Sequence, residues 1–330
     1  MSRQAAPVHL NGGESVAMTE FLSMESKQDG LTLALMVVRP EGAPRAIVQI
    51  AHGMCEHKER YAPFAEYLAA RGCVCVINDH RGHGASVRSP EDRGYFYQNG
   101  DWAMTEDLHQ ITLWARERWP GIPLFLFGHS MGSLAVRAYC ADHDRDIDAL
   151  VVCGSPGENG AAGFGLVLVR LLSIVRGDRH RSKLVHRMTT GSFNKKAKKE
   201  HSGSWLSANP ENVAAFAADP LCNFSFTLNG YRALLRLMIR AYGMGFRNGR
   251  SRSERGNPNL PVRFHSGADD TGAPDRAGFE NAMNRMRQAG YADVRGHMFP
   301  GLRHEILNEV NREEVFERIW SEAFEPYIPN

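Results

Sequence analysis

The sequence predicts an α/β protein: a mostly parallel central sheet with helices on both faces and a helical cap inserted after the sixth strand. Three features of the chain point there. Short apolar runs rich in Val, Ile and Phe alternate with helix-like stretches, the alternation stops over residues 157–258, and it resumes at Leu260-Pro261-Val262. With 330 residues, 43% hydrophobic and 23% charged, the chain can bury a large interior, and a formal net charge of +2 excludes intrinsic disorder.

The elements follow in order. Residues 20–26 and 31–38 read as a hairpin, because Asp29-Gly30 between two apolar runs supplies the positive φ of a tight turn. Residues 46–51, 73–78, 123–127, 149–154, 262–266 and 294–299 read as strands covered on both faces. Helical patterning marks 61–71, 102–119, 133–143, 274–288 and 309–324. The expected organisation is a core in two parts, 1–156 and 259–330, with 157–258 as the cap. An insertion there overhangs the sheet edge where open α/β sheets bind ligands.

The first 18 residues lack the apolar centre of a secretory signal, and no apolar run is long enough for a membrane-spanning helix. The expected location is cytoplasmic, at most peripheral to a membrane. Residues 164–175 (FGLVLVRLLSIV) are apolar on nearly every face, which suits burial against the core, the favoured reading, or a lip in a membrane interface. Nine basic residues and one acid follow at 176–199, within a cap of 17 Lys+Arg against 6 Asp+Glu. That asymmetry fits either a solvated face or an anionic membrane surface. No phosphate-cradling loop is present and no nucleic acid is expected. Six cysteines without CxxC spacing read as free thiols, with Cys55 and Cys222 expected near the pocket.

Gly128-His129-Ser130-Met131-Gly132 joins an apolar run to a helical one. In G-x-S-x-G at a strand-to-helix junction the serine is forced into a sharp turn that lifts its hydroxyl clear of the sheet. A serine hydroxyl needs a base, and the base needs a carboxylate. Two later strands end in loops on the same sheet edge: one carries Asp269 and Asp270, the other His304. Spacing separates the two acids poorly. An oxyanion hole requires two backbone N–H groups, here those of Met131 and of Met54 in the loop His52-Gly53-Met54-Cys55. A zinc reading of His52, Glu56 and His57 fails, since H-x-x-E-H is needed and the chain has one residue too many. No metal and no cofactor are expected.

With HGMCEHKERY at 52–61, NDHRGHGAS at 78–86, GHSMGS at 128–133, GADD at 267–270 and RHEILNE at 303–309, the chain resembles the α/β-hydrolases, and more narrowly the monoacylglycerol lipase and bacterial lysophospholipase group. The segment DPLCNFSFTLNGY at 219–231 is similar to that group's cap. The resemblance implies Ser130 as nucleophile, His304 as base and Asp270, rather than Asp269, as acid. It also implies the Met54 and Met131 amides as oxyanion hole, with His52, Gly53, Glu56 and His129 in the pocket or behind it. Glu56 and Arg60, four residues apart, are expected to pair. Thr271 and Ser133 depart from the group's usual Pro and Gly. The expected function is a serine carboxylester hydrolase acting on monoacylglycerol or lysophospholipid. The alternatives are an esterase or amidase of small soluble molecules, or a non-catalytic binding protein on the same fold.

Overall fold

The computed structural model describes residues 17–189, 203–243, 256–273 and 275–329. Eight strands form one sheet in the order β1-β2-β4-β3-β5-β6-β7-β8. They are β1 (Ala17–Glu25), β2 (Thr32–Pro40), β3 (Ala46–Ala51), β4 (Cys73–Asn78), β5 (Leu124–His129), β6 (Ala149–Cys153), β7 (Val262–Gly267) and β8 (Val294–Phe299). The hairpin β1/β2 and the β2/β4 pair are antiparallel, and every pair from β4 to β8 is parallel.

Every residue of β3 to β7 is buried, as continuous apolar runs between two helical layers should be. Side chains alternate across the pleat, so neighbours in sequence enter different cores. Ile47 and Leu126 join Met104, Leu108 and Leu134 on one face. Val48 and Phe125 join Phe64, Leu68, Val315 and Phe316 on the other. The first face is covered by helices Gly100–Arg118, Met131–His143 and Arg276–Gln288, the second by Ala62–Ala69 and Arg312–Ile319. The last of these runs into a wider π turn at Trp320–Phe324, so the helix expected at 309–324 is split.

Between β6 and β7 the described chain holds helices Ala162–Arg176, Lys183–Thr189, Pro210–Ala218 and Leu228–Tyr242 and no strand. Hydrogen bonds made by Asn229 and Glu309 side chains tie this insertion to the core on two sides. Asn229 accepts from the Phe96 amide at 2.8 Å and donates to the Tyr97 carbonyl at 2.8 Å. On the far side the Glu309 carboxylate accepts from Ser207 Oγ at 2.8 Å and from the amides of Ala208 and Asn209.

The favoured expectation for 164–175 is overturned. The Ala162–Arg176 helix buries only Ala162 and Val169. It packs along one narrow stripe on the Leu228–Tyr242 helix, leaving Phe164, Val167, Leu171, Ile174 and Val175 on the surface, Ile174 at 82% exposure. The basic run is partly used internally: Arg179 pairs with Asp92, and Arg181 donates to the carbonyls of Ser225, Glu91 and Arg93. Residues 190–199 of that run lie outside the described residues. Among the described residues no helix is long and apolar enough to cross a membrane. All six cysteines are buried and none is disulfide-bonded.

Candidate active site

β5 ends in a turn whose geometry explains its glycines. Ser130 stands at φ 52°, ψ −116°, a conformation that costs a non-glycine residue about 1 to 3 kcal/mol. A Cβ at Gly132 would lie 2.2 Å from the Ala51 carbonyl oxygen, and one at Gly128 would lie 2.5 Å from the carbonyl of Gly132. Only glycine lets the Met131–His143 helix start this close to β3. The Ser130 amide donates to the Cys153 carbonyl at 2.9 Å and the Ser133 hydroxyl to the Ser130 carbonyl at 2.5 Å. The Ser133 side chain therefore adds a bond to the elbow.

The loops after β7 and β8 are laced together, Ala268 N donating to Phe299 O at 2.8 Å and Asp269 N to Leu302 O at 3.0 Å. This brings Asp270 and His304 side by side. His304 Nδ1 is 2.7 Å from Asp270 Oδ2, and its Nε2 is 2.8 Å from Ser130 Oγ. Asp270 Oδ1 accepts from the amides of Gly272 (2.7 Å) and Ala273 (3.0 Å), which fixes the carboxylate's plane. Asp269 is exposed, and the contact to His304 is made by Asp270. Burial disfavours the charged form of His304, yet the facing Asp270 carboxylate outweighs it and holds the imidazole above its ordinary value.

Met54, Met131, Gly53, Glu56 and His129 line the cavity onto which Ser130 opens, whereas His52 lies behind it. The His52 Nε2 accepts from the His80 amide at 2.9 Å, and His52 Nδ1 is 2.7 Å from the Gly53 carbonyl. It is a strut of the loop and stays neutral, because burial pushes its pKa well below the usual range. Glu56 is the loop's clamp: Oε1 accepts from the Gly53 amide at 2.5 Å and from Tyr61 Oη at 2.8 Å, and Oε2 from Arg60 Nε at 3.2 Å. Burial alone would raise its pKa, but His129 and Arg60 hold the carboxyl well below the carboxylate range.

One part of the site carries no signal in the sequence. Arg60 also donates to Glu305, the residue after His304, and at 3.2 Å to Asn212 of the Pro210–Ala218 helix. Asn212 Nδ2 reaches the same Glu305 oxygen at 2.7 Å, and the guanidinium lies 4.9 Å over the Phe216 ring. Arg60 thus joins three segments that meet only in the fold: the Gly53 loop, the His304 loop and the insertion. The cavity itself measures about 410 Å³ and is lined mainly by apolar side chains, among them Leu134, Trp205, Phe216, Phe224, Leu235 and Met238. By contrast NDHRGHGAS serves the fold: Asp79 takes the amides of Lys58 and Ala85, and Arg81 is bound by Asp107 and Asp29.

A family model described as serine aminopeptidase, S33, matches residues 42–311. The chain belongs to this family of α/β-hydrolases. Among its relatives, a monoacylglycerol lipase of Mycolicibacterium smegmatis is 29% identical over 294 residues, 88% of this chain and 92% of that protein. Human monoglyceride lipase is 27% identical over 240 residues, 72% of this chain and 68% of its own. A thermostable carboxyl esterase from Bacillus coagulans superposes with TM-score 0.85 at 27% identity, covering 94% of this chain and 99% of that one. The S33-family chain is therefore an α/β-hydrolase of serine-hydrolase type, related to lipases and esterases.

Proposed function

We propose that this protein is a serine carboxylester hydrolase that cleaves single-chain lipid esters, monoacylglycerols or lysophospholipids, through an acyl-serine intermediate. The observation that carries the reading is the chain of contacts Ser130–His304–Asp270, 2.8 and 2.7 Å, at the wall of an apolar cavity of about 410 Å³. His304 Nε2 takes the proton of Ser130 Oγ as that oxygen attacks the ester carbonyl carbon, and Asp270 stabilises the imidazolium. The amides of Met54 and Met131 receive the oxyanion. The C–O bond then breaks, His304 hands its proton to the leaving alkoxide, and water repeats the attack on the acyl-serine to release the acid. The residues of 157–258 serve as a cap over the core of 1–156 and 259–330. The apolar stripe Phe164, Val167, Leu171 and Ile174, with Arg170 and Arg176 on the same helix, is the face by which this cap rests on an anionic membrane.

An amidase reading is suggested by the family's description as aminopeptidase. Recognition of a free amino terminus asks for an uncommitted carboxylate, and the two acids among the described lining residues, Glu56 and Glu305, are both held by Arg60. Esters with an apolar chain fit this lining better.

The test is a panel of 4-nitrophenyl esters, monoacylglycerols, lysophospholipids and amino-acid anilides, run on the native protein and on Ser130→Ala. The proposal expects ester hydrolysis that rises with acyl length and vanishes in Ser130→Ala. Activity confined to acetyl esters, or to anilides, would replace it with the small-molecule reading.

A further inference from the structure

The structure brings together a second group of reactive side chains, His57, Asp219 and Cys222, which follow or face the loop that carries Met54 and do not line the cavity. A ring nitrogen of His57, an Asp219 carboxylate oxygen and Cys222 Sγ all lie within 4.8 Å of one another, with His57 Nε2 facing Asp219 at 2.8 Å. His57 follows the Gly53 loop in the core, whereas Asp219 and Cys222 come from the turn after the Pro210–Ala218 helix. That turn is closed by Cys222 N donating to Asp219 O at 3.0 Å, which puts both side chains on one side. His57 and Cys222 are buried, at 7% and 5% exposure.

We propose that His57, Asp219 and Cys222 form a binding site for a zinc-class divalent ion that clamps the cap turn to the oxyanion loop. One imidazole nitrogen, one carboxylate oxygen and one thiolate suit a borderline-soft ion that prefers four-coordinate geometry, with water in the fourth place. Calcium and magnesium are disfavoured, because they ask for six or more oxygen ligands and only one is offered. The outer contacts are those of a metal-binding histidine. Glu59 Oε2 lies 2.6 Å from His57 Nδ1, so the ring can donate there and turn Nε2 to the ion. Asp219 has its other oxygen engaged by the Leu221 amide at 2.7 Å, leaving Oδ2 aimed at His57 Nε2, 2.8 Å away.

The charge balances. The ion replaces the proton shared between His57 Nε2 and Asp219, and the Cys222 thiol loses its own. Two protons leave as two positive charges enter, and the buried site's net charge is unchanged. The consequence for the cavity is direct. Asn223 and Phe224, next to Cys222, line it, and the Asn223 amide already donates to the Cys55 carbonyl at 3.1 Å. A bound ion adds a coordinate link between the same two strips of chain, one bearing Met54 and the other part of the acyl wall.

Cobalt(II) is the probe, titrated into the metal-stripped 330-residue chain and into Ser130→Ala. The expected result is one equivalent bound in both, with a thiolate-to-cobalt charge-transfer band, visible bands of a four-coordinate ion, displacement by zinc and a higher melting temperature with zinc. Cys222→Ala should lose the charge-transfer band while Cys55→Ala keeps it, and Glu59→Gln should weaken binding by about 10- to 100-fold. Should Cys222→Ala fail to fold, Asp219→Asn serves in its place and must also lower the affinity. Absence of a charge-transfer band in the native chain, its survival in Cys222→Ala, or unaltered affinity in Asp219→Asn overturns the site. None of these readouts depends on hydrolysis, so the ester-hydrolase reading stands or falls separately.

Discussion

Replacing Glu56 by Gln keeps the shape of the side chain and removes its charge from a pocket where it is 3% exposed. Three donors converge on this carboxylate: the Gly53 amide, Tyr61 Oη and Arg60 Nε. A charge-assisted bond contributes about 1.5 to 3 kcal/mol and a neutral one about 0.5 to 1.5, so each of the three loses about 1 kcal/mol or slightly more. The new amide NH2 must also face one of these donors. The sum, about 3 to 5 kcal/mol, equals the usual cost of breaking a buried ion pair. Urea unfolding should show that loss as a lower midpoint at unchanged slope. Because Glu56 fixes the Gly53 amide, the adjoining Met54 amide should lose its aim, and kcat on a short 4-nitrophenyl ester should fall about 10- to 100-fold with little change in KM. This is part of the roughly 2.7 to 4 kcal/mol that one oxyanion donor supplies. An Glu56→Gln variant that loses stability yet keeps kcat within twofold would refute the link between this clamp and the oxyanion loop.

Three further outcomes follow from the same contacts. The acid limb of kcat/KM should lie above pH 6.5, since Asp270 raises the His304 pKa and only neutral His304 accepts the serine proton; Asp270→Asn should move the limb down and cut kcat about 10⁴-fold, as a pH series on both proteins would show. His80 and His83 are held neutral by burial, down to about 3 and about 4, while in the unfolded chain they titrate near 6.5. The unfolded state therefore binds more protons below pH 6.5, and stability contributed by this pair should be full above that pH and fall by up to about 1 to 3 kcal/mol per unit from 6.5 toward 4, read from urea midpoints; a flat profile would contradict it. Ile174→Glu should reduce sedimentation with anionic vesicles and leave hydrolysis of a soluble short ester unchanged, whereas equal vesicle binding would remove the membrane role of that helix.

What could be read from the sequence was whatever local geometry demands. The elbow at Ser130 declares itself because two close backbone approaches leave no room for a Cβ at 128 or 132. Strands buried on both faces announce themselves as unbroken apolar runs, and their C-terminal loops locate Asp270 and His304 on one edge. Choosing Asp270 over Asp269 needed the family resemblance, since adjacent residues on a loop differ only in which way each one faces. The Arg60–Glu305 contact joins positions 245 residues apart and has no local trace. Nor could periodicity tell the fate of residues 164–175: a helix apolar all round looks the same whether protein or solvent covers it. The cluster of His57, Asp219 and Cys222 was hidden for the same reason, since its ligands come from two segments 162 residues apart.

The central claim is that Ser130 is an activated nucleophile, and intact-mass analysis after fluorophosphonate treatment addresses it directly. The native chain should gain one adduct, mapped to Ser130, and Ser130→Ala should gain none. A native chain that takes up no reagent, or an adduct that persists in Ser130→Ala, would contradict it.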